Sequence, residues 1–151
     1  MNNFTVLLMF VSFAVFTACG QKEDVPEKVR TAFSQKFPNA KRVEWDKEND
    51  SEWEAEFRMN GKAYSADFDN NGTWKETEHK IKRSEILTPV RSTLENEYAG
   101  YEIEEAEVLE TPEGKFFEIE IEKDEHDMEI VFDISGSIVK KSAVDDDEDD
   151  D

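Results

Sequence analysis

The sequence predicts an α+β protein made of two tandem units, each a helix followed by about four antiparallel strands. Three blocks recur in the same order. Val29–Phe37 (VRTAFSQKF) returns as Val90–Tyr98 (VRSTLENEY) at an offset of 61. Trp53–Phe57 (WEAEF) and Phe68–Trp74 (FDNNGTW) return as Phe117–Ile121 (FEIEI) and Phe132–Ile138 (FDISGSI) at an offset of 64. Such self-similarity marks a repeated structural unit, here a duplication with a three-residue insertion inside the second copy. The second observation is period-two alternation of apolar and charged residues, the pattern of antiparallel strands with one face on a core and the other in water. The units run over 24–82 and 83–144.

In the first unit, Val25, Val29, Ala32, Phe33 and Phe37 fall on one face of a 3.6-residue period and predict a helix. Its start is written DVPE: Asp24 as cap, Pro26 in the first turn, Glu27 at capping-box spacing. In SEWEAEFRM, Trp53, Ala55, Phe57 and Met59 face inward, and Glu52, Glu54, Glu56 and Arg58 face outward. MNGK reads as a hairpin turn, after which Tyr64, Ala66 and Phe68 alternate inward. The second unit repeats this. Ile86, Val90, Leu94 and Tyr98 make the helical stripe, with Pro89 near its start disturbing the first turn and Gly100 expected at C′. Phe117, Ile119 and Ile121 then face inward and Glu118, Glu120 and Glu122 outward. TPEGK before that strand reads as a hairpin turn, and Met128, Ile130 and Phe132 complete the pattern.

Asp67–Glu78 (DFDNNGTWKETE) matches a calcium-loop pattern, with Asp67, Asp69 and Asn71 as oxygen donors, Gly72 at the sharp turn and Glu78 as the bidentate carboxylate. The second copy has Val131, Asp133, Ser135, Gly136 and Ser142 at those positions, a poor ligand set. What the copies share is Phe-Asp-x-x-Gly-[Thr/Ser]-apolar, so the expectation is a turn between strands with glycine at positive φ. No cofactor is expected. A calcium-responsive module, using the whole loop or only Asp67, Asp69 and Asn71, is the alternative.

Residues 1–18 carry no charged side chain and read as a secretory signal rather than a membrane span. The FTACG junction resembles the lipobox of bacterial lipoproteins, which implies that Cys19, the only cysteine, is lipidated and anchors the chain through a tether over 19–23. GQKED after it resembles the surface-export signal of Bacteroidota lipoproteins. The expected location is the envelope, on the outer membrane and surface-exposed, or else facing the periplasm. Residues 145–151 are all acidic and read as a solvated, disordered tail.

Removing the seven charges of that tail from the formal −20 leaves −13 on the body, a field that repels nucleic acid. Once Cys19 is lipidated there is no free thiol, and His79 and His126 are the only imidazoles. No phosphate-cradling loop is present either, so the chain is not expected to be an enzyme. The remaining candidate site is a surface. Glu52, Glu54 and Glu56, with Glu118, Glu120 and Glu122, mark an acidic outward sheet face suited to a protein or peptide partner, a basic one if charge steers encounter. A purely structural surface lipoprotein is the bland alternative. Trp45 and Trp74 would anchor a partner if exposed and belong to the core otherwise.

VPEKVRTAFSQKFPNAKRVEW, WEAEF and YSADFDNNGTW together resemble the PepSY-like proteins of Bacteroidota, whose shape is compared with β-lactamase-inhibitor protein. The likeness covers 24–144 and is clearest in the first copy; the second has Ala99 where Pro is expected after Tyr98, and Ile138 in place of Trp. It implies tandem units whose sheets pack their helices on one face, and proteins that bind or inhibit other proteins rather than catalyse.

Overall fold

The alternating segments become eight strands of one antiparallel sheet. The computed structural model describes residues 24–124 and 126–143; the expected leader, Cys19 with its tether, and the acidic tail lie outside the described residues. The order is α1 (Glu27–Lys36), β1 (Lys41–Asn49), β2 (Glu52–Met59), β3 (Lys62–Asp69), β4 (Trp74–Lys80), a 3-10 turn (Arg83–Glu85), α2 (Thr88–Glu97), β5 (Glu102–Thr111), β6 (Gly114–Lys123), β7 (His126–Asp133) and β8 (Ile138–Ala143). Strands pair in chain order throughout. The two halves join through β4 and β5, with Thr77 opposite Glu110 and His79 opposite Val108.

Pairing in the first half reappears in the second. Lys41 faces Arg58 and Glu44 faces Glu56 across a register shift; Glu102 faces Glu122 and Glu105 faces Glu120 across another. Phe68 opposite Trp74 recurs as Phe132 opposite Ile138, again after a shift.

Helix α1 buries Val29 and Phe33, and its C-cap Phe37 joins them, among Trp53, Ala55, Phe57, Ala66 and Phe68. Helix α2 buries Val90 and Leu94 among Val108, Phe117, Ile119, Ile130 and Phe132. Each of these buried Val, Leu, Ile and Phe side chains contributes about 1.5–3 kcal/mol. Residues directly opposite in an antiparallel pair project to the same face. Ala66 faces Thr77 and Thr77 faces Glu110, two residues from Val108, so both apolar clusters lie on the same side of the sheet.

The helix starts differ from expectation. Asp24 does not cap α1: the N-cap is Pro26, without a side-chain hydrogen bond, and its carbonyl accepts from the N–H groups of Val29 and Arg30. Proline supplies the extended entry angle that a capping side chain would otherwise select. A carboxylate cap appears instead at the 3-10 turn, where Glu85 accepts from the Lys82 N–H at 2.9 Å. Pro89 is accommodated inside the first turn of α2, and the irregularity falls in the 3-10 turn before it. Gly100, at φ +91°, comes two residues after the C-cap Tyr98 rather than at C′. It serves the turn in which the Tyr101 N–H donates to the Tyr98 carbonyl at 3.1 Å.

Candidate functional site

The Asp67–Glu78 stretch divides between a strand, a turn and another strand. Asp69 Oδ1 accepts from the N–H groups of Asn71 and Thr73, both at 2.8 Å. Asp133 Oδ1 does the same for Ser135 at 2.8 Å and Ser137 at 3.1 Å. In each turn the glycine N–H donates to the aspartate's carbonyl. Burial pulls Asp69 upward, but the donors on Thr73 and Asn71 outweigh it and hold the carboxyl below its ordinary value. Gly72 and Gly136 have φ of +85° and +83°, and a Cβ there would lie 2.7 Å from the Lys28 carbonyl oxygen or 2.5 Å from that of Pro89. The motif therefore seats each hairpin end against a helix. Asp67 and Glu78 belong to strands on either side of the turn, and among the described residues no group of three or more His, Cys, Asp or Glu is arranged to hold a metal ion.

Register places Glu52, Glu54, Glu56, Glu118, Glu120 and Glu122 on the face away from both helices, since their strand neighbours Ala55, Phe57, Ile119 and Ile121 belong to the helix-side clusters. They form rows with carboxylates that periodicity alone did not single out. Asp46, Glu54, Asp67 and Glu76 stand side by side across β1–β4. Glu107 faces Glu118, and Glu105, Glu120 and Glu129 make another row. Glu102, Glu122 and Asp127 complete a third. Adjacent strands are about 4.8 Å apart, and like charges directly opposite are destabilising. Besides Arg58 and Lys41, which face each other at its edge, Lys80 and Lys140 enter this face: Lys80 pairs with Glu105, and Lys140 lies across from Val131.

The result is a set of carboxyls that resist ionisation. Burial, then Glu118 and Glu76, push Glu78 up to about 10. Burial, then Glu129 and Glu107, push Glu118 up to about 9. Asp67 rises through burial and the carboxylates of Glu76 and Glu54, and Glu54 through burial and its neighbour Glu48. Beside these groups, Leu109, Phe116 and Val131 form an apolar cluster of their own on the same face.

The carboxylates that the sequence did not assign to this face are Asp46, Asp67, Glu76, Glu78, Glu102, Glu105, Glu107, Asp127 and Glu129, together with that apolar cluster. Pairing partners assign them, and the register shift between Ile103 and Glu105 breaks the alternation that would have shown β5. Neither Trp45 nor Trp74 is a free anchor. Trp45 is half-buried with its ring 5.2 Å from Phe33. The Trp74 indole N–H donates to the Glu76 carbonyl at 2.7 Å, and Lys36 Nζ stands 3.3 Å from its ring centre. His79 packs against Tyr64 at 4.9 Å and is held below its ordinary pKa by burial, and His126 opens β7 on the surface.

Residues 20–60 and 51–140 match the profile of the family described as "Putative beta-lactamase-inhibitor-like, PepSY-like". The chain belongs to this PepSY-like family. Its architecture is shared by solved structures of low sequence identity. A BLIP-like protein from Bacteroides fragilis has a TM-score of 0.72 at 20% identity, over 85% of this chain and 92% of that one. A DUF2874 family protein from Bacteroides ovatus has 0.72 at 24% identity, over 83% and 93%. Another from Bacteroides uniformis has 0.72 at 22%, over 78% and 88%. Among curated proteins none matches. Among the described residues no helix of this PepSY-like chain is long and apolar enough to cross a membrane.

Proposed function

We propose that this PepSY-like protein is a non-catalytic, lipid-anchored envelope protein that binds or inhibits another protein through its helix-free acidic face. In this reading the leader over 1–18 delivers the chain, Cys19 holds it at the outer membrane, and two tandem units with their helices on one side leave the other side open for a basic partner. The supporting observation is the rows of opposed carboxylates. Folding does not ask for Glu54 beside Asp67 beside Glu76, or for Glu107 beside Glu118. A cationic surface docking there favours the ionised carboxylates that burial and crowding disfavour in the free sheet, so docking is coupled to proton release from this face. The likeness to a BLIP-like protein supports a protein partner in general.

Binding of a fluorescent lysine-rich peptide, followed by anisotropy in 0.05 and 0.5 M salt, tests the proposal. Glu54→Gln and Glu118→Gln should weaken it, while Glu27→Gln and Glu97→Gln on the helices should not. Retention at high salt would sink the reading, because screening shortens to a few ångströms there. So would equal losses at face and helix positions.

A further inference from the structure

The second half of the chain contains a cavity that its counterpart fills. It measures about 550 Å³, within the range of small-molecule sites, and opens between the 3-10 turn, α2 and the paired ends of β5 and β6. Its floor is aliphatic, formed by Ile86, Leu94, Ile103 and Ile121. Tyr98 and Tyr101 form a wall, with their rings edge to face at 5.7 Å.

The cavity has a cause in the sequence. In the first half, Phe33 lies 5.2 Å from Trp45 and 5.1 Å from Phe57, and Phe37 lies 4.7 Å from Phe57. At the repeat offsets of 61 and 64, Leu94 replaces Phe33, Tyr98 replaces Phe37, Ala106 replaces Trp45 and Ile121 replaces Phe57. Ile119 and Ile130, where the first half has Ala55 and Ala66, take back part of that volume. The strand pairing around the site is the same in both halves, so the rest has not closed by collapse.

Charge selects the ligand. On a strongly acidic chain, this rim carries Arg83 and Arg91 against a single Glu95. An Arg83 Nη donates to the Ile103 carbonyl, and an Arg91 Nη donates to the Ile86 carbonyl at 3.0 Å, which pins both guanidiniums in place. A guanidinium has five N–H donors, so these carbonyls use only part of its capacity. Lys123 stands 5.4 Å from the Tyr101 ring centre and adds to the positive side. Among the lining residues themselves, Arg83 and Arg91 against Glu95 leave one net positive charge beside the apolar floor, which suits a monoanion.

We propose that this cavity binds an amphipathic monocarboxylate, with its apolar body on Ile86, Leu94, Ile103 and Ile121 and its carboxylate at Arg83 and Arg91. The site is independent of the acidic face.

Titration of the protein with anilinonaphthalene sulfonate tests it, with displacement by decanoate, decanol and acetate. The expected result is saturable binding of one probe per chain, displaced by decanoate at a concentration at least about tenfold below that needed for decanol or acetate. Leu94→Phe, which restores the ring of the first half, should abolish binding. Arg83→Glu should weaken it at least about tenfold with unchanged circular dichroism. If the Leu94→Phe protein fails to fold, Arg83→Glu decides alone. Absence of saturable binding overturns the proposal, as does equal displacement by decanol, or wild-type affinity in every folded variant.

Discussion

Replacing Glu118 by Gln should stabilise the protein at pH 8 and do little at pH 5. Glu118 lies directly opposite Glu107, with burial the largest cause of its raised pKa and Glu129 the next. Its carboxyl titrates near 9 in the folded protein against an ordinary value of 4.5. Between those values the folded state holds a proton that the unfolded chain has released. Stability from this group is therefore complete below about 4.5 and is lost as pH rises toward 9. Each unit of displacement corresponds to about 1.4 kcal/mol, so the penalty at pH 8 is a few kcal/mol. Gln removes the charge but still buries an amide, at roughly 1–2 kcal/mol. A net gain of about 1–3 kcal/mol remains, and a chain of this size should melt at least about 3 °C higher. At pH 5 the unfolded carboxyl is itself partly protonated and the gain shrinks toward zero. Thermal melts of wild type and variant at both pH values give the answer. Destabilisation at pH 8, or the same shift at both pH values, would refute the electrostatic account of this face.

Because Glu78, Glu118, Asp67 and Glu54 are all raised, the wild type should itself melt higher at pH 5.5 than at pH 8.5, against the usual effect of acid on carboxylate-rich proteins; calorimetry across that interval checks it. Gly136→Ala should cost about 2–4 kcal/mol in urea titration, combining positive-φ strain with a Cβ 2.5 Å from the Pro89 carbonyl oxygen. Gly61→Ala, at the same φ of +83° with nothing within 4 Å, should cost only about 1 kcal/mol. Millimolar calcium should raise the melting temperature of wild type and Asp69→Ala by the same increment, as general screening of an acidic body does; an increment lost in the variant would identify the loop as a specific cation site.

Much of the fold was legible because local patterns act locally. The helical stripe from Val29 to Phe37 and the alternation from Trp53 to Phe57 each state which face is buried, and both clusters contain those residues. The repeat also pointed to Gly72 and Gly136 as turn residues, and both have positive φ. The neighbourhood of each outward carboxylate was not legible, because it depends on which strands pair. Glu78 reads as the last carboxylate of a calcium-loop pattern until Ser65 and Leu109 are placed on either side of it. The pairing of β4 with β5, which makes one surface of the two halves, leaves no mark in either strand's own alternation.

The match of Asp67–Glu78 to a calcium loop shows how two demands can spell one motif. Aspartate at the end of a strand is favoured because its side chain can satisfy the two N–H groups that the turn leaves unpaired, as Asp69 and Asp133 both do. Glycine three residues later meets the left-handed backbone and the approach of the helix carbonyl. Those two requirements recur in both halves, whereas Asp67, Asn71 and Glu78 do not. The residues that made the pattern look like a cation site are thus of two kinds. Asn71 is exposed at the tip of its turn, while Asp67 and Glu78 belong to the carboxylate face. Glu78→Gln separates the two directly. Acting through the face, it should raise stability at pH 8 by about 1–3 kcal/mol, through the same mechanism as at Glu118, with no change in the calcium increment. A drop in stability with loss of that increment would instead tie Glu78 to the loop.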